Sequence, residues 1–119
     1  ARLLGKHVRQ MLKDTPDLNV LVAGDLNDTP RSAPLAEIVG EKRDRVLFDL
    51  RPADASGDYW THYWDDEDMY ERLDYLLVSS GMRGEAVPGK THIVRVPREA
   101  SGSDHRPVVG VFVAKETRY

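Results

Sequence analysis

The stretch RLDYLLVSS, residues 72–80, sets a carboxylate at the mouth of an apolar strand. Asp74 stands between Leu73 and the apolar run 75–78. Neighbours in a strand face opposite ways, so Leu73 and Tyr75 point to one side and Asp74 to the other. A buried aspartate is rare unless paired, because an unpartnered charge in a low dielectric is costly. Two partners suit it equally well from the sequence. One is a nearby arginine in a salt bridge; the other is an imidazole whose tautomer and orientation the carboxylate fixes.

A histidine suited to that role lies in SGSDHRP (101–107), directly before the apolar run VVGVFVA (108–114). Ser101, Gly102, Ser103 and Pro107 mark a loop, the setting in which the adjacent Asp104 and His105 can serve one purpose. Asp104 offers a hard oxygen of the kind Mg2+ takes. His7, His62 and His92 read by default as satisfied surface or core histidines, although its aromatic neighbours set His62 apart from the other two. A third polar pair, Asp25 and Asn27, follows the short apolar run VLVA (20–23) after Gly24. They form either an Asx-type turn or, with Gly24 bending the chain at a strand's C-terminal end, two polar groups facing one cleft.

The remaining segments give a coarse layout. Leu4, Val8, Met11 and Leu12 recur at helical spacing, so residues 2–13 read as an amphipathic helix that DTPDLN ends at Pro16. VLVA reads as a strand covered on both faces. APLAEIVG (33–40) reads as a short helix that Gly40 terminates. One extended piece is expected around Val46–Leu50, strands over 58–64, 72–80 and 107–114, and an edge strand over 91–96. The acidic run 65–71 reads as a loop, and a run of like charge in a loop is ordinarily solvated, although with His62 it offers acidic ligands. Helix, strand, helix and then several strands make an α/β or α+β layer packing, one unit over residues 1–119.

Composition bounds the function. Of 119 residues, 40% are hydrophobic and 31% charged, as in a globular domain. No apolar run approaches the roughly 20 residues that a membrane span needs. The chain has no cysteine, which excludes disulfides and thiolate metal sites and leaves the compartment open. A net charge of −3 counts against a dedicated binder of long duplex DNA, since phosphate backbones call for a basic excess.

VAGDLND, RLDYLLVS and SDHRP, in that order, resemble the C-terminal half of the endonuclease/exonuclease/phosphatase superfamily. That superfamily includes DNase I-like nucleases, apurinic endonucleases, inositol-phosphate phosphatases and sphingomyelinases. The resemblance runs from about Leu18 to Ala114. It implies half of a DNase I-like four-layer sandwich, with one mainly antiparallel or mixed sheet and two helices on one face. The implied activity is hydrolysis of a phosphate ester by metal-assisted attack of water, with Mg2+ or Mn2+. By that resemblance Asp25 holds and deprotonates the water, and Asn27 orients the site and binds phosphoryl oxygens. His105 stabilises phosphoryl charge, Asp74 orients His105, and Asp104 lies at or near the metal. Thr61 and Trp60 fall where supporting residues stand.

The family's principal metal-binding glutamate and an accompanying asparagine come from its other half. Here no Asn precedes Asn19, and the first glutamate is Glu37. The expectation is therefore half a site, an isolated chain with little activity, and an uncovered sheet face on which two copies could pack as a homodimer. The substrate could be a nucleic acid, a nucleotide, an inositol phosphate or a phospholipid headgroup. Two rival readings are a non-catalytic protein-binding module of the same fold and a calcineurin-like metallophosphoesterase, to which VAGDLND alone is similar.

Overall fold

The structure is a computed structural model and describes residues 1–115. Helix α1 (Arg2–Asp14) opens the chain and strand β1 (Leu21–Asp25) follows. Helix α2 (Ala33–Val39) is capped by the Ser32 side chain, which accepts from the Leu35 amide, and Pro34 sits in its first turn. Strand β2 (Leu47–Asp49) comes next, then β3 (His62–Trp64), β4 (Met69–Glu71) and β5 (Asp74–Ser79). A single helical turn, α3 (Ser80–Arg83), and two short strands, β6 (His92–Ile93) and β7 (Val108–Val109), complete the described elements.

The mixed α/β class is as expected, with the strands shared among three small antiparallel sheets. The first has the order β1-β5-β2, and β3-β4 and β6-β7 form two-stranded sheets. In the first sheet Tyr75, Leu77, Val20 and Leu47 face α1 and α2, where Val8, Leu35 and Ile38 complete the core. The helices meet closely enough that a Cβ on Gly5 would sit 2.2 Å from the Glu37 carbonyl oxygen. The buried Ser79 hydroxyl donates to the Leu18 carbonyl (2.7 Å) and accepts from the Val20 amide (2.9 Å), fixing where β1 enters the sheet. The segment after β7 lies over the second face, where Gly110 abuts Leu76.

Several expectations change. VLVA is not covered on both faces: β1 is an edge strand, paired only with β5, and Leu21 is exposed. It also continues through Gly24 to Asp25 instead of ending at Ala23. The run 107–114 is half-buried and contributes only two strand residues, because Gly110 interrupts it. The acidic stretch 65–71 is not all loop: a left-handed turn at Asp68 (φ 48°) sends β4 back along β3.

One buried ion pair anchors the loop that carries His105. Arg106 donates from Nη1 to Asp54 Oδ2 (2.8 Å) and from Nε to the Trp60 carbonyl (3.0 Å), with its guanidinium 3.6 Å over the Trp60 ring. Asp54 also accepts from the Ser56 and Asp58 amides. The hydrogen bond from Arg106 and these amides hold the Asp54 carboxyl well down, at about 2. The Asp54 carboxylate therefore stabilises the fold above the usual aspartate pKa, and that contribution is lost as pH falls towards about 2. Arg106→Met, which leaves this buried carboxylate with the Ser56 and Asp58 amides and Arg95 at 3.7 Å, should lower the urea midpoint at neutral pH. The deficit should shrink on acidification below about pH 4. A deficit independent of pH would show that packing, not the pair, carries the effect.

Candidate active site

The register of β1 against β5 sets Asp25 directly opposite Asp74 at one end of the first sheet. Like charges facing each other across antiparallel strands repel, so the pair calls for a cation between its members. His105 supplies it. Its Nδ1 lies 2.7 Å from Asp74 Oδ2, and its Nε2 lies 3.7 Å from Asp25 Oδ2. Asp74 is thus paired with the imidazole and not with an arginine; Arg72 turns away to bind Asp49.

Each member is held by local structure. Gly24 takes φ 135°, a conformation that side-chain-bearing residues avoid, just before Asp25. Asp25 Oδ1 accepts from the Asn27 amide at 2.8 Å, an Asx turn, and Asn27 takes φ 51°, which asparagine tolerates. Both readings of this pair therefore hold for Asp25, which makes the turn and faces the imidazole. Asn27 is exposed on the same turn. The buried Tyr75 hydroxyl donates to the Asp28 carbonyl (2.7 Å), tying this turn back to β5.

Thr61 is wholly buried, and its hydroxyl oxygen accepts from the amides of Leu73 (3.0 Å) and Asp74 (3.2 Å). It fixes the backbone from which Asp74 reaches His105. Trp60 is half-buried under Arg106 and packs 4.8 Å from the Tyr70 ring. Asp104 is exposed and lies 4.0 Å from His105 Nε2 through Oδ1.

Two site residues escaped the sequence reading. His62, taken there as an ordinary core or surface histidine, lies with its ring centroid 4.9 Å from that of His105. Its Nε2 is 3.4 Å from Asp104 Oδ2, and its Nδ1 is 3.7 Å from Glu71 Oε2. Glu71 is its cross-strand partner in the β3-β4 sheet. The second is Arg106, whose guanidinium and backbone amide (2.7 Å to the Thr61 carbonyl) dock the loop against β3. A cleft of about 410 Å³ opens beside these groups, walled by Trp60, Tyr63, Trp64 and Tyr70.

Electrostatics follow the geometry. Burial alone would pull the His105 pKa down, but the Asp74 hydrogen bond and the charges of Asp74, Asp25 and Asp104 outweigh it and raise the value. Asp74 meets Nδ1, so a neutral His105 leaves Nε2 as an acceptor, and donation from Nε2 requires the imidazolium.

Comparison with known families agrees with these motifs. The model of the endonuclease/exonuclease/phosphatase family matches residues 2–105. The chain belongs to the endonuclease/exonuclease/phosphatase family. The match begins earlier than the resemblance seen in the motifs and takes in α1. No curated protein and no solved structure matches the chain. Membership disposes of the calcineurin-like alternative, and the small antiparallel sheets with helices packed on one face are consistent with the DNase I-like fold of the family.

In Asp74→Asn the His105 ring loses its charged partner, so its pKa, read from ring-proton shifts in an NMR titration, should fall. A raised histidine pKa stabilises the fold below the usual value of about 6.5, and the gain fades as pH rises through the folded value. The stability gap between wild type and Asp74→Asn should therefore narrow from pH 6 to pH 8. An unchanged titration of His105 would mean that the short contact carries no charge coupling.

Proposed function

We propose that this chain forms one side of the active site of a metal-dependent phosphoesterase, hydrolysing a phosphodiester or phosphomonoester with activated water. The observation that carries the reading is the convergence of Asp25 and Asp74 on opposite edges of the His105 ring. In this reading an acceptor carboxylate and an imidazole whose basicity its carboxylate neighbours raise share one small space. The donor set also fits Mg2+ or Mn2+: Asp25 and Asp104 present carboxylate oxygens to solvent, with side chains 47% and 76% exposed. Bound there, the ion would supply Lewis-acid stabilisation of charge on the phosphoryl oxygens.

In this reading Asp25 accepts a proton from the attacking water as the new P–O bond forms and the ester P–O bond breaks. The His105 imidazolium donates from Nε2 to a phosphoryl oxygen, where negative charge develops. Asp74 keeps the ring oriented and charged, and Thr61 keeps Asp74 in place. Asn27, on the exposed turn beyond Asp25, donates its carboxamide to the same phosphoryl group. Among the described residues the glutamate beside this cluster is Glu71, 3.7 Å from His62 Nδ1. The resemblance implies a further glutamate ligand for the ion, and in this reading the isolated chain has little activity.

The test is hydrolysis of a chromogenic phosphodiester and phosphomonoester with Mg2+ or Mn2+. It should use the 119-residue chain and the longest natural polypeptide that carries it. The longer polypeptide should turn over in a chelator-sensitive way, and His105→Ala should cost roughly 10²- to 10⁴-fold. The isolated chain should stay near background. Turnover indifferent to His105→Ala or to chelation would overturn the reading, whereas full activity of the isolated chain would overturn only the half-site part.

A further inference from the structure

His62 is unused by that chemistry, and its surroundings differ from those of an ordinary core histidine. Its ring is not placed beside His105 by rotamer choice alone. His62 and His105 form an antiparallel backbone bridge, and the neighbouring Arg106 amide donates to the Thr61 carbonyl at 2.7 Å. The two rings are consequently fixed 4.9 Å apart at a tilt of 39°.

The chemistry around the rings is near-symmetric. Each Nδ1 turns towards a carboxylate, Asp74 for His105 at 2.7 Å and Glu71 for His62 at 3.7 Å. Each Nε2 has Asp104 nearby, at 4.0 Å from Oδ1 for His105, which also faces Asp25 Oδ2 at 3.7 Å, and at 3.4 Å from Oδ2 for His62. A metal-bound imidazole characteristically gives its second ring N–H to a carboxylate, which fixes the tautomer and frees the other nitrogen as a ligand. Here that pattern is made at His105 and approached at His62, on either side of one carboxylate.

We propose that His62, His105 and Asp104 form a binding site for a first-row transition ion such as Zn2+ or Co2+, one that shares Asp104 with the oxygen donors offered to Mg2+ but adds two imidazole nitrogens. Two nitrogens and one carboxylate suit such ions and not Mg2+. Bonds of about 2.0–2.2 Å put neighbouring ligand atoms about 3–4 Å apart. The two carboxylate contacts at 3.4 and 4.0 Å lie in that window, and all three ligand atoms already lie within 4.8 Å of one another. Binding would draw the three groups inward, and Asp104, the most exposed of them, gives the ion its way in.

A second observation points the same way. His62 Nδ1 is buried and without a hydrogen-bond partner, although Glu71 stands about half an ångström beyond reach. Coordination at Nε2 would make the Nδ1 proton a stronger donor and draw that contact closed, satisfying the orphaned atom. The site also takes the same His105 nitrogen that the proposed hydrolysis turns to phosphate. The two uses are therefore alternatives, and the metal site stands on its own geometry whether or not the hydrolytic reading holds.

Titration of the 119-residue chain with Co2+ alone, followed by the visible absorption of the bound ion, tests this. One Co2+ should bind per chain, Zn2+ should displace it, and a large excess of Mg2+ should not. In NMR, the ring signals of His62 and His105 should broaden before those of His7 and His92. His62→Ala should weaken binding at least about 10-fold, and Glu71→Gln, which removes only the outer partner, roughly 10- to 100-fold. Co2+ affinity unchanged in both variants, or broadening of all four histidines together, would overturn the site. If His62→Ala fails to fold, the Glu71→Gln result decides.

Discussion

Two carboxylates face each other across a pair of antiparallel strands, and a single imidazole lies between them. That arrangement is the constraint on which the rest of this end of the molecule depends. Asp25 and Asp74 are register partners, so the sheet itself forces them together. Without His105 the strand ends would repel; with it, the pairing becomes a charge-stabilised corner. The same contact that relieves the repulsion raises the imidazole's basicity, so the structural requirement and the chemical one are met by one ring.

Holding that ring falls to residues that touch no substrate. Arg106 adjoins His105 in sequence but points to the opposite side, where it is buried against Asp54 and Trp60. Thr61, just before β3, accepts from the Leu73 and Asp74 amides. Loop, β3 and β5 are thereby linked through a short chain of polar contacts to buried anchors. A loop rich in Ser and Gly gains a fixed position from these anchors and not from its own backbone.

Much of this was legible in the sequence. Asp74 announced itself as a charge inside an apolar strand, and Asp104–His105 as a polar pair inside a turn-rich loop. The helices α1 and α2 followed from apolar spacing and a glycine stop. What stayed hidden depended on registers across sequence-distant strands. His62 looked ordinary because nothing local shows that β3 bridges to residue 105. Glu71 was lost in an acidic run whose last residues form a strand, because the left-handed turn at Asp68 has no glycine to advertise it. The burial of β1 was overestimated because a continuous apolar run reads as a covered strand, yet β1 is an edge.

Gly24 shows how indirect control of such a corner can be. A Cβ built there meets nothing within 4 Å, so volume sets no limit on the residue. Its torsion does: at φ 135° any larger residue would relax by swinging the peptide that leads into the next position. The carboxylate one residue on would then miss the ring it faces. Occupancy of this vacant spot is thus governed by the aim of a neighbouring group, and a surface that looks free to vary is held by its torsion.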